Sequence, residues 1–446
     1  MIDAAGRGQL YLDSLATRSV FPDPAAIQRL DDALRIALPA DSAAPADVLA
    51  FIDEFGTPAT VATAGGRYFG FVTGGALPAA AAAHCLATAW DQNGVNTIGS
   101  PASALFEEAA LRWLRDVLGL PPDSEGTLVT GATMANFTAL AAARHEVLRR
   151  AGWDVEQQGL RGSPAIDVVI GEEAHSTLTK VLALLGFGRA NVTRVPVDGQ
   201  GRMDAAKFPV IRGPAIVCIQ AGNVNSGAFD PAAEIIGRAH EAGAWVHVDG
   251  AFGLWAAASP RRAHLTTGSG QADSWATDAH KWLNVPYDCG IVFVRDPAAL
   301  RAAMVTGGDY LMLGRHRDAI NLGPDSSRRA RGVDVWAALR QLGRRGLAGM
   351  IDRHCDQASW LAGQLSLAGI EVLNEVVLNQ IVVAFGDNER TRRTIAALQE
   401  AGDCWCGGTR WHGREAMRIS ISSWATTQDD LEISFRSILK AAGSHP

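Results

Sequence analysis

The sequence predicts an α/β protein in which a mostly parallel sheet is flanked by helices, together with a smaller α+β domain. Between about residues 56 and 330, short β-rich runs alternate with helical stretches, which is the strand–helix–strand order of parallel sheets. The apolar runs are mostly uninterrupted, as in strands that are covered on both faces. The predicted strands include Thr127–Thr130, Asp167–Ile170, Pro214–Ile219, Ala244–Val248 and Gly290–Val294.

Three regions follow from these patterns. Residues 1–55 are predicted to form an N-terminal helical arm, because apolar residues recur there at roughly helical spacing between prolines. This stretch is short and rich in alanine, so we expect it to pack on something larger, such as a partner subunit. Residues 56–330 form the large α/β domain. Residues 331–446 form the small α+β domain, which opens with a helix from Val333 to about Ala368.

Composition and charge exclude several classes of protein. With 446 residues, 48% hydrophobic and 20% charged, the chain is typical of globular proteins. A net charge of −7 does not supply the basic surface that nucleic-acid binding needs. The six cysteines include a lone Cys404–Cys406 pair without the second pair of a zinc site, so no metal is predicted. The N-terminus lacks an apolar signal core, and glycines and a proline interrupt the uncharged run Tyr68–Trp90, so we expect a soluble, cytoplasmic protein with no membrane span.

Polar residues that directly follow the predicted strands are the candidates for chemistry, because ligands of parallel sheets bind at the carboxyl ends of the strands. Lys281 lies in a segment of low charge, between His280 and Trp282. Burial lowers the pKa of a lysine, which is what a Schiff-base lysine requires. The alternative is a lysine whose stem lies along a strand edge while its ammonium group stays in water.

Asp249 lies at the end of a predicted strand and allows three interpretations. It can cap a helix, bind a metal together with His247, or pair with a cationic ring nitrogen. Pyridoxal phosphate needs a partner of the last kind, because a carboxylate keeps its pyridine nitrogen protonated.

Three further elements follow strands. The turn Thr130–Asn136 contains small residues that let backbone N–H groups approach a phosphate, although helix capping explains such a turn equally well. His175 can stack on a ring or transfer protons, or it can be structural. The polar loop Gln220–Asp230 is by itself compatible with an ordinary turn.

The order of these elements resembles that of the group II pyridoxal-phosphate-dependent amino acid decarboxylases, which include the aromatic amino acid and glutamate decarboxylases. The elements are, in order, the phosphate turn, the histidine, the polar loop, the aspartate and the lysine. The resemblance extends from about Tyr68 to Thr427, and its most specific motifs are His247–Asp249 and His280–Trp282. It implies the fold type I architecture of pyridoxal-phosphate-dependent transferases, a homodimer, and decarboxylation of an L-amino acid to the amine and carbon dioxide.

The resemblance also implies a role for each matching residue. Lys281 would form the Schiff base with pyridoxal 5'-phosphate, and Asp249 would pair with the pyridine nitrogen. His175 would stack on one face of the ring, with Ala251 on the other, and His175 is with Lys281 a candidate catalytic residue. The phosphate would be held by Ala132, Thr133 and His280. Arg418 is the candidate for the substrate carboxylate, and Asn93 is a second candidate for substrate binding.

Three departures from the family pattern affect these expectations. The family's Gly-Thr-Thr loop is replaced by Gly222–Val224, so we expect Asn223 or Asn225 to take the place of a threonine. Asp278 replaces an asparagine near the phosphate, and we expect it to point away or to pair with a cation. Residues 314–328 contain no tyrosine to protonate the substrate carbon.

The missing tyrosine leaves other reactions open. Tyr310 lies upstream of this segment, and His316 is its only residue with an ordinary pKa near neutrality. The proton donor would then be Lys281, His175 or His316. The alternatives to decarboxylation are lyase or aldolase cleavage at Cα–Cβ, transamination and oxidative deamination.

Overall fold

The computed structural model describes residues 1–305 and 317–443. It divides into two compact units. The seven-stranded unit comprises Ala76–Asp356 and Asn374–Asn379, and the four-stranded unit comprises Met1–Gly75, Gln357–Leu373 and Gln380–Pro446. These limits fall after residues 75 and 356, whereas the sequence suggested boundaries near residues 55 and 330. The helix Arg331–Leu367 begins at the suggested second boundary, and the limit after Asp356 falls within it.

The described α-helices follow one another along the whole chain. In chain order they are α1 Ile2–Ser14, α2 Pro24–Leu34, α3 Pro45–Phe51, α4 Pro78–Trp90, α5 Pro101–Val117, α6 Ala132–Arg150, α7 Val155–Gln158, α8 Ser176–Leu184, α9 Ala232–Glu241, α10 Pro297–Met304, α11 Arg331–Leu367, α12 Asn388–Ala401 and α13 Gln428–Ala441. The predicted helical character of the N-terminal residues and the long helix after residue 331 are confirmed. In α11, Gly343 has a positive φ of 59° and interrupts the helical geometry.

The large sheet has the strand order β1-β7-β6-β5-β4-β2-β3. Its strands are β1 Glu125–Val129, β2 Asp167–Gly171, β3 Val192–Val195, β4 Ala215–Gln220, β5 Trp245–Asp249, β6 Ser274–Asp278 and β7 Gly290–Val294. Strands β2 to β6 pair in parallel, so the predicted α/β class with a mostly parallel sheet is confirmed. Strand β7 runs antiparallel to β1 and β6, because the segment after β6 contains no crossover helix.

Helix α6 lies against this sheet and determines where the site forms. Its inner face is made of small side chains, among them Ala135, Ala139 and Ala142, which are fully buried. These join one core with strand residues such as Ile170 and Val292. Because α6 starts directly after β1, its first turn lies at the carboxyl edge of the sheet.

The four-stranded unit has an antiparallel sheet with the order β10-β11-β9-β8. Its strands are β8 Glu371–Val372, β9 Gln380–Ala384, β10 Gly407–Trp411 and β11 Arg414–Ser420. Strands and helices thus mix in the C-terminal region, as the sequence predicted. In the described part of the chain, no helix is both long enough and apolar enough to cross a membrane.

Candidate active site

The predicted site residues follow strands that lie side by side. Strands β2, β4, β5 and β6 are parallel neighbours, and Asp249 at the end of β5 lies opposite Gln220 of β4 and Ala276 of β6. His175, Asn223, Asp249 and Lys281 come after these four strands in turn. The topology therefore brings them to one edge of the sheet, as the sequence analysis required.

Lys281 forms an ion pair with Asp278. Its Nζ lies 3.1 Å from Oδ2 of Asp278, and the carboxylate side chain is only 3% exposed while the lysine side chain is 22% exposed. The other carboxylate oxygen, Oδ1, accepts a hydrogen bond of 2.6 Å from the backbone N–H of Ala132. The expectation that Asp278 pairs with a cation is confirmed, and the cation is the candidate Schiff-base lysine itself.

His280 is buried beside this pair, and its hydrogen bonds define its tautomer. Its Nδ1 accepts a hydrogen bond of 3.1 Å from the backbone N–H of Cys289, so in the neutral ring the proton is on Nε2. That nitrogen lies 3.7 Å from Oδ2 of Asp278. Burial lowers the pKa of His280, against the opposing effect of Asp278. The ring therefore presents a neutral N–H donor, which suits a phosphate oxygen.

The turn before α6 is shaped by two glycines. Gly131 is the N-cap residue and has no side chain to satisfy the first amide groups of α6. A Cβ on Gly131 would lie 3.2 Å from the His280 ring, and a Cβ on Gly290 would overlap the backbone of Gly131. Ala132 is buried and Thr133 half-buried in the first turn. Apart from the N–H of Ala132, which Asp278 occupies, no side chain of the described residues caps the first backbone N–H groups of this long helix, and a cradle of such donors fits a phosphate group.

Asp249 is buried and held by two donors. Its Oδ2 accepts from Nδ2 of Asn136 at 3.1 Å, and its Oδ1 accepts from the backbone N–H of Ala251 at 3.3 Å. His247 contacts the other side of the same amide, with Nε2 2.9 Å from Oδ1 of Asn136. Both ring nitrogens of His247 are engaged, the second by Ser274, which disfavours the metal interpretation of the His247–Asp249 pair.

Sequence reasoning did not assign a role to Asn136. The available signal was a polar amide on the alanine-rich inner face of α6, one turn after the phosphate turn. Such a residue is costly to bury unless a specific partner requires it.

The loop after β4 supplies a buried donor. Asn223 is 1% exposed, and its Oδ1 accepts from the backbone N–H groups of Asn225 and Ser226 at 2.9 and 3.2 Å. Its Nδ2 has no hydrogen-bond partner among the described residues. A buried amide nitrogen with an unused proton fits a ligand acceptor, and it is where the sequence analysis expected a substitute for the family threonine.

The two residues predicted to flank the cofactor ring, His175 and Ala251, have different surroundings. His175 is the half-buried N-cap of α8, where its Nδ1 accepts from the backbone N–H of Thr177 at 3.3 Å. Ala251 is fixed by its carbonyl, which accepts from the backbone N–H of Asp278 at 2.9 Å. The stacking of these two residues on a cofactor ring stays a prediction.

Neither candidate substrate-binding residue follows one of the four strands β2, β4, β5 and β6. Asn93 is exposed, and its Oδ1 accepts from the backbone N–H of Arg328 at 3.0 Å. Arg418 belongs to β11 in the four-stranded unit, where burial lowers its pKa. Their roles stay predictions. Tyr310 and His316 lie outside the described residues.

Comparison with known proteins agrees with this geometry. Residues 62–385 match the family model described as the pyridoxal-dependent decarboxylase conserved domain. Tryptophan decarboxylase 1 of Oryza sativa subsp. japonica is 30% identical over 75% of this chain and 69% of its own length. The L-2,4-diaminobutyrate decarboxylase of Rhizobium meliloti strain 1021 is 31% identical over 76% of this chain and 69% of its own. The crystal structure of Oryza sativa TDC with PLP and tryptamine matches with a TM-score of 0.90 at 25% identity, covering 99% of this chain and 96% of that one.

Proposed function

Since the chain belongs to the pyridoxal-dependent decarboxylase family and is therefore a carboxy-lyase that uses pyridoxal phosphate, we propose that it decarboxylates an L-amino acid through a Schiff base at Lys281. The products are the amine and carbon dioxide. The observation that carries the proposal is the arrangement at the ends of β5 and β6. There a buried carboxylate, Asp249, and the lysine follow neighbouring parallel strands.

The residues of this edge would each hold one part of the cofactor. Asp249 would bind the ring nitrogen, and Lys281 the aldehyde carbon. Asn223 would donate its unused Nδ2 proton to an oxygen of the cofactor. The phosphate would bind the first turn of α6, through Ala132 and Thr133, and the Nε2–H of His280, with His175 and Ala251 on the two faces of the ring. When bound, the cofactor supplies an electron sink for the bond that breaks at the substrate Cα.

Asp278 would move the proton that Lys281 must lose. An ammonium group is not a nucleophile, and Oδ2 of Asp278 lies 3.1 Å from Nζ, within reach of its proton. This role gives a function to Asp278, which the sequence analysis expected to point away or to pair with a cation.

The covalent assignment is tested by trapping the cofactor. Purified protein should be yellow, and borohydride should fix pyridoxal phosphate on Lys281, as located by mass spectrometry of the digested chain. Lys281→Ala should bind the cofactor without becoming labelled. Label on another lysine, or a labelled Lys281→Ala protein, would overturn the assignment.

A homodimer is part of the proposal. Several apolar side chains of the N-terminal residues are strongly exposed, among them Ile2 at 93%, Leu10 at 71% and Leu38 at 96%. Apolar segments that are exposed in a single chain are often covered by another protein surface. Light scattering of the active enzyme should give twice the chain mass of 47.1 kDa. An active species of single-chain mass would contradict this.

A cytoplasmic location is also proposed. None of the six cysteines, all of which lie in the described residues, forms a disulfide, and five of them are buried. Cysteines outside disulfides are typical of proteins in reducing compartments. Recovery of the protein outside the soluble cytoplasmic fraction of its cell would contradict this location.

One observation favours a second candidate reaction. Residues 314–328 contain no tyrosine, so the proton donor that the resemblance implies is missing from that segment. If the substrate carbon is not protonated there, the same site can release an aldehyde or keto acid in three ways. These are cleavage at Cα–Cβ, transamination in which the cofactor takes up the amino group, and oxidative deamination with dissolved oxygen as the oxidant. L-Tryptophan and L-2,4-diaminobutyrate, which the two relatives' names specify, are the first amino acids to test.

A further inference from the structure

We infer that Asn136 and His247 are positioning residues for Asp249, which they hold in place through a hydrogen-bond chain that runs in one direction. The inference rests on the proposed role of Asp249 as the partner of the ring nitrogen. It adds a group of residues behind that carboxylate, none of which contacts the cofactor in the proposal.

The direction of this hydrogen-bond chain follows from the Asp249 carboxylate at its end. An ionised carboxylate only accepts hydrogen bonds, so the amide nitrogen of Asn136, and not its oxygen, must face Oδ2 of Asp249 at 3.1 Å. The amide oxygen then faces Nε2 of His247 at 2.9 Å. Because that oxygen is an acceptor, Nε2 must carry the proton of the neutral imidazole.

The far end of the hydrogen-bond chain, at Ser274 and Trp245, agrees with the same donor-to-acceptor direction. With its proton on Nε2, His247 has a bare Nδ1, which accepts from the hydroxyl of Ser274 at 2.9 Å. The hydroxyl oxygen in turn accepts from Nε1–H of Trp245 at 2.9 Å. An indole N–H only donates, which agrees with this direction. With the carboxylate as the final acceptor and His247 neutral, every hydrogen bond points its proton towards Asp249.

The hydrogen-bond chain is buried, and burial increases its effect on Asp249. Asn136, His247 and Ser274 are fully buried, and Asp249 is 6% exposed. Hydrogen bonds donated to a carboxylate stabilise its charged form. In such surroundings successive hydrogen bonds polarise one another. His247 stays neutral because burial lowers its pKa to about 4, and the thiol of Cys218, its neighbour on β4, is also buried and uncharged.

The test measures the interaction with the ring nitrogen itself. The full-length chain is reconstituted either with pyridoxal phosphate or with its 1-deaza analogue, in which a C–H group replaces the nitrogen. The ratio of the two affinities reports how strongly Asp249 binds the nitrogen, and a general loss of stability changes both affinities together. The ¹⁵N chemical shift of labelled pyridoxal phosphate gives a second readout, because it distinguishes a protonated from an unprotonated ring nitrogen.

Matched variants separate positioning from packing. Asn136→Leu and His247→Leu should lower the preference for pyridoxal phosphate by about tenfold or more, as for loss of a hydrogen bond to a charged group. His247→Gln keeps an N–H donor at the position of Nε2 and should retain the preference. Ser274→Ala, which removes only a hydroxyl, should lower it by about threefold. The control is Thr138→Val on the same helix, whose hydroxyl bonds to the Met134 carbonyl.

Two results would overturn the inference in different ways. If Asp249→Asn abolishes the preference while Asn136→Leu, His247→Leu and Ser274→Ala leave it unchanged, the chain has no positioning role and the proposed function stands. If Asp249→Asn itself leaves the preference unchanged, the proposed role of Asp249 is wrong, and the inference falls with it. Should the leucine variants fail to fold, the affinity ratio of Ser274→Ala decides the question.

Discussion

The side-chain nitrogen of Asn136 lies 3.1 Å from Oδ2 of Asp249, although 113 residues separate the two in the chain. Asn136 is in the second turn of α6, and Ala132, whose N–H group contacts Asp278, begins the same helix. A single turn of helix therefore connects the candidate phosphate cradle with the residue that would bind the ring nitrogen. Because a helix is rigid, this contact fixes the spacing between the two ends of the cofactor site.

The ion pair of Lys281 with Asp278 should contribute to the stability of the cofactor-free protein. Lys281→Ala leaves a carboxylate that is 3% exposed without its ammonium partner, which should cost about 1–3 kcal/mol of unfolding free energy. The double variant Lys281→Ala/Asp278→Asn removes the buried charge and should recover most of that loss. Urea unfolding of the cofactor-free proteins measures both. Equal stability of the single and double variants would contradict the ion pair's role.

His247 predicts how stability depends on pH. Burial lowers its pKa from 6.5 to about 4, so between these values the unfolded chain binds more protons than the folded chain. The free energy of unfolding therefore has its full value above the ordinary pKa of histidine. It falls as the pH drops towards the pKa of His247 in the folded protein. The loss should approach about 3 kcal/mol, at roughly 1.4 kcal/mol for each pKa unit.

The control for this effect is His247→Gln, which keeps a hydrogen-bond donor but does not titrate. Other groups titrate equally in both proteins, so the difference between their unfolding free energies isolates His247. We expect the wild type to lose stability faster than the variant on acidification. Parallel curves would show that His247 is not held neutral by the fold.

Gly290→Ala tests the shape of the phosphate turn. The added Cβ would overlap the backbone of Gly131, and backbone cannot move aside as a flexible side chain can. We expect a loss of about 1–3 kcal/mol in stability and faster release of pyridoxal phosphate in dialysis. Gly237→Ala is the control, since nothing lies within 4 Å of a Cβ there and α9 is helical. Unchanged cofactor retention in Gly290→Ala would contradict the close approach of the two glycines.

Much of the site was predictable because its residues directly follow strands. Apolar runs located β2, β4 and β5, and parallel order then placed the residues after them at one edge. That reasoning put His175 and Asp249 at the same edge without knowledge of their contacts. Strand β6, which precedes Lys281, was not among the predicted strands, so Lys281 was recognised from its motif. The motif also led to the two alternatives for Asp278, but only the structure identified Lys281 as the cation.

The remaining features of the site and of the fold depend on contacts that no local sequence pattern indicates. The Asn136–Asp249 contact joins a helix and a strand far apart in sequence, so neither segment contains a signal for the other. Strand β10 was not predicted, because its two glycines weaken the strand pattern. The units are also discontinuous, since residues 1–75 share one with the C-terminal residues, whereas cuts made along a sequence give continuous domains.

The central claim is tested most directly by product stoichiometry. The wild-type enzyme is incubated with its best amino acid, and carbon dioxide, amine, aldehyde and keto acid are measured in the same reaction, with Lys281→Ala as the control. We expect one carbon dioxide and one amine for each amino acid consumed, and neither product from the variant. Release of an aldehyde or keto acid without carbon dioxide would contradict decarboxylation and assign the site to another cleavage at Cα.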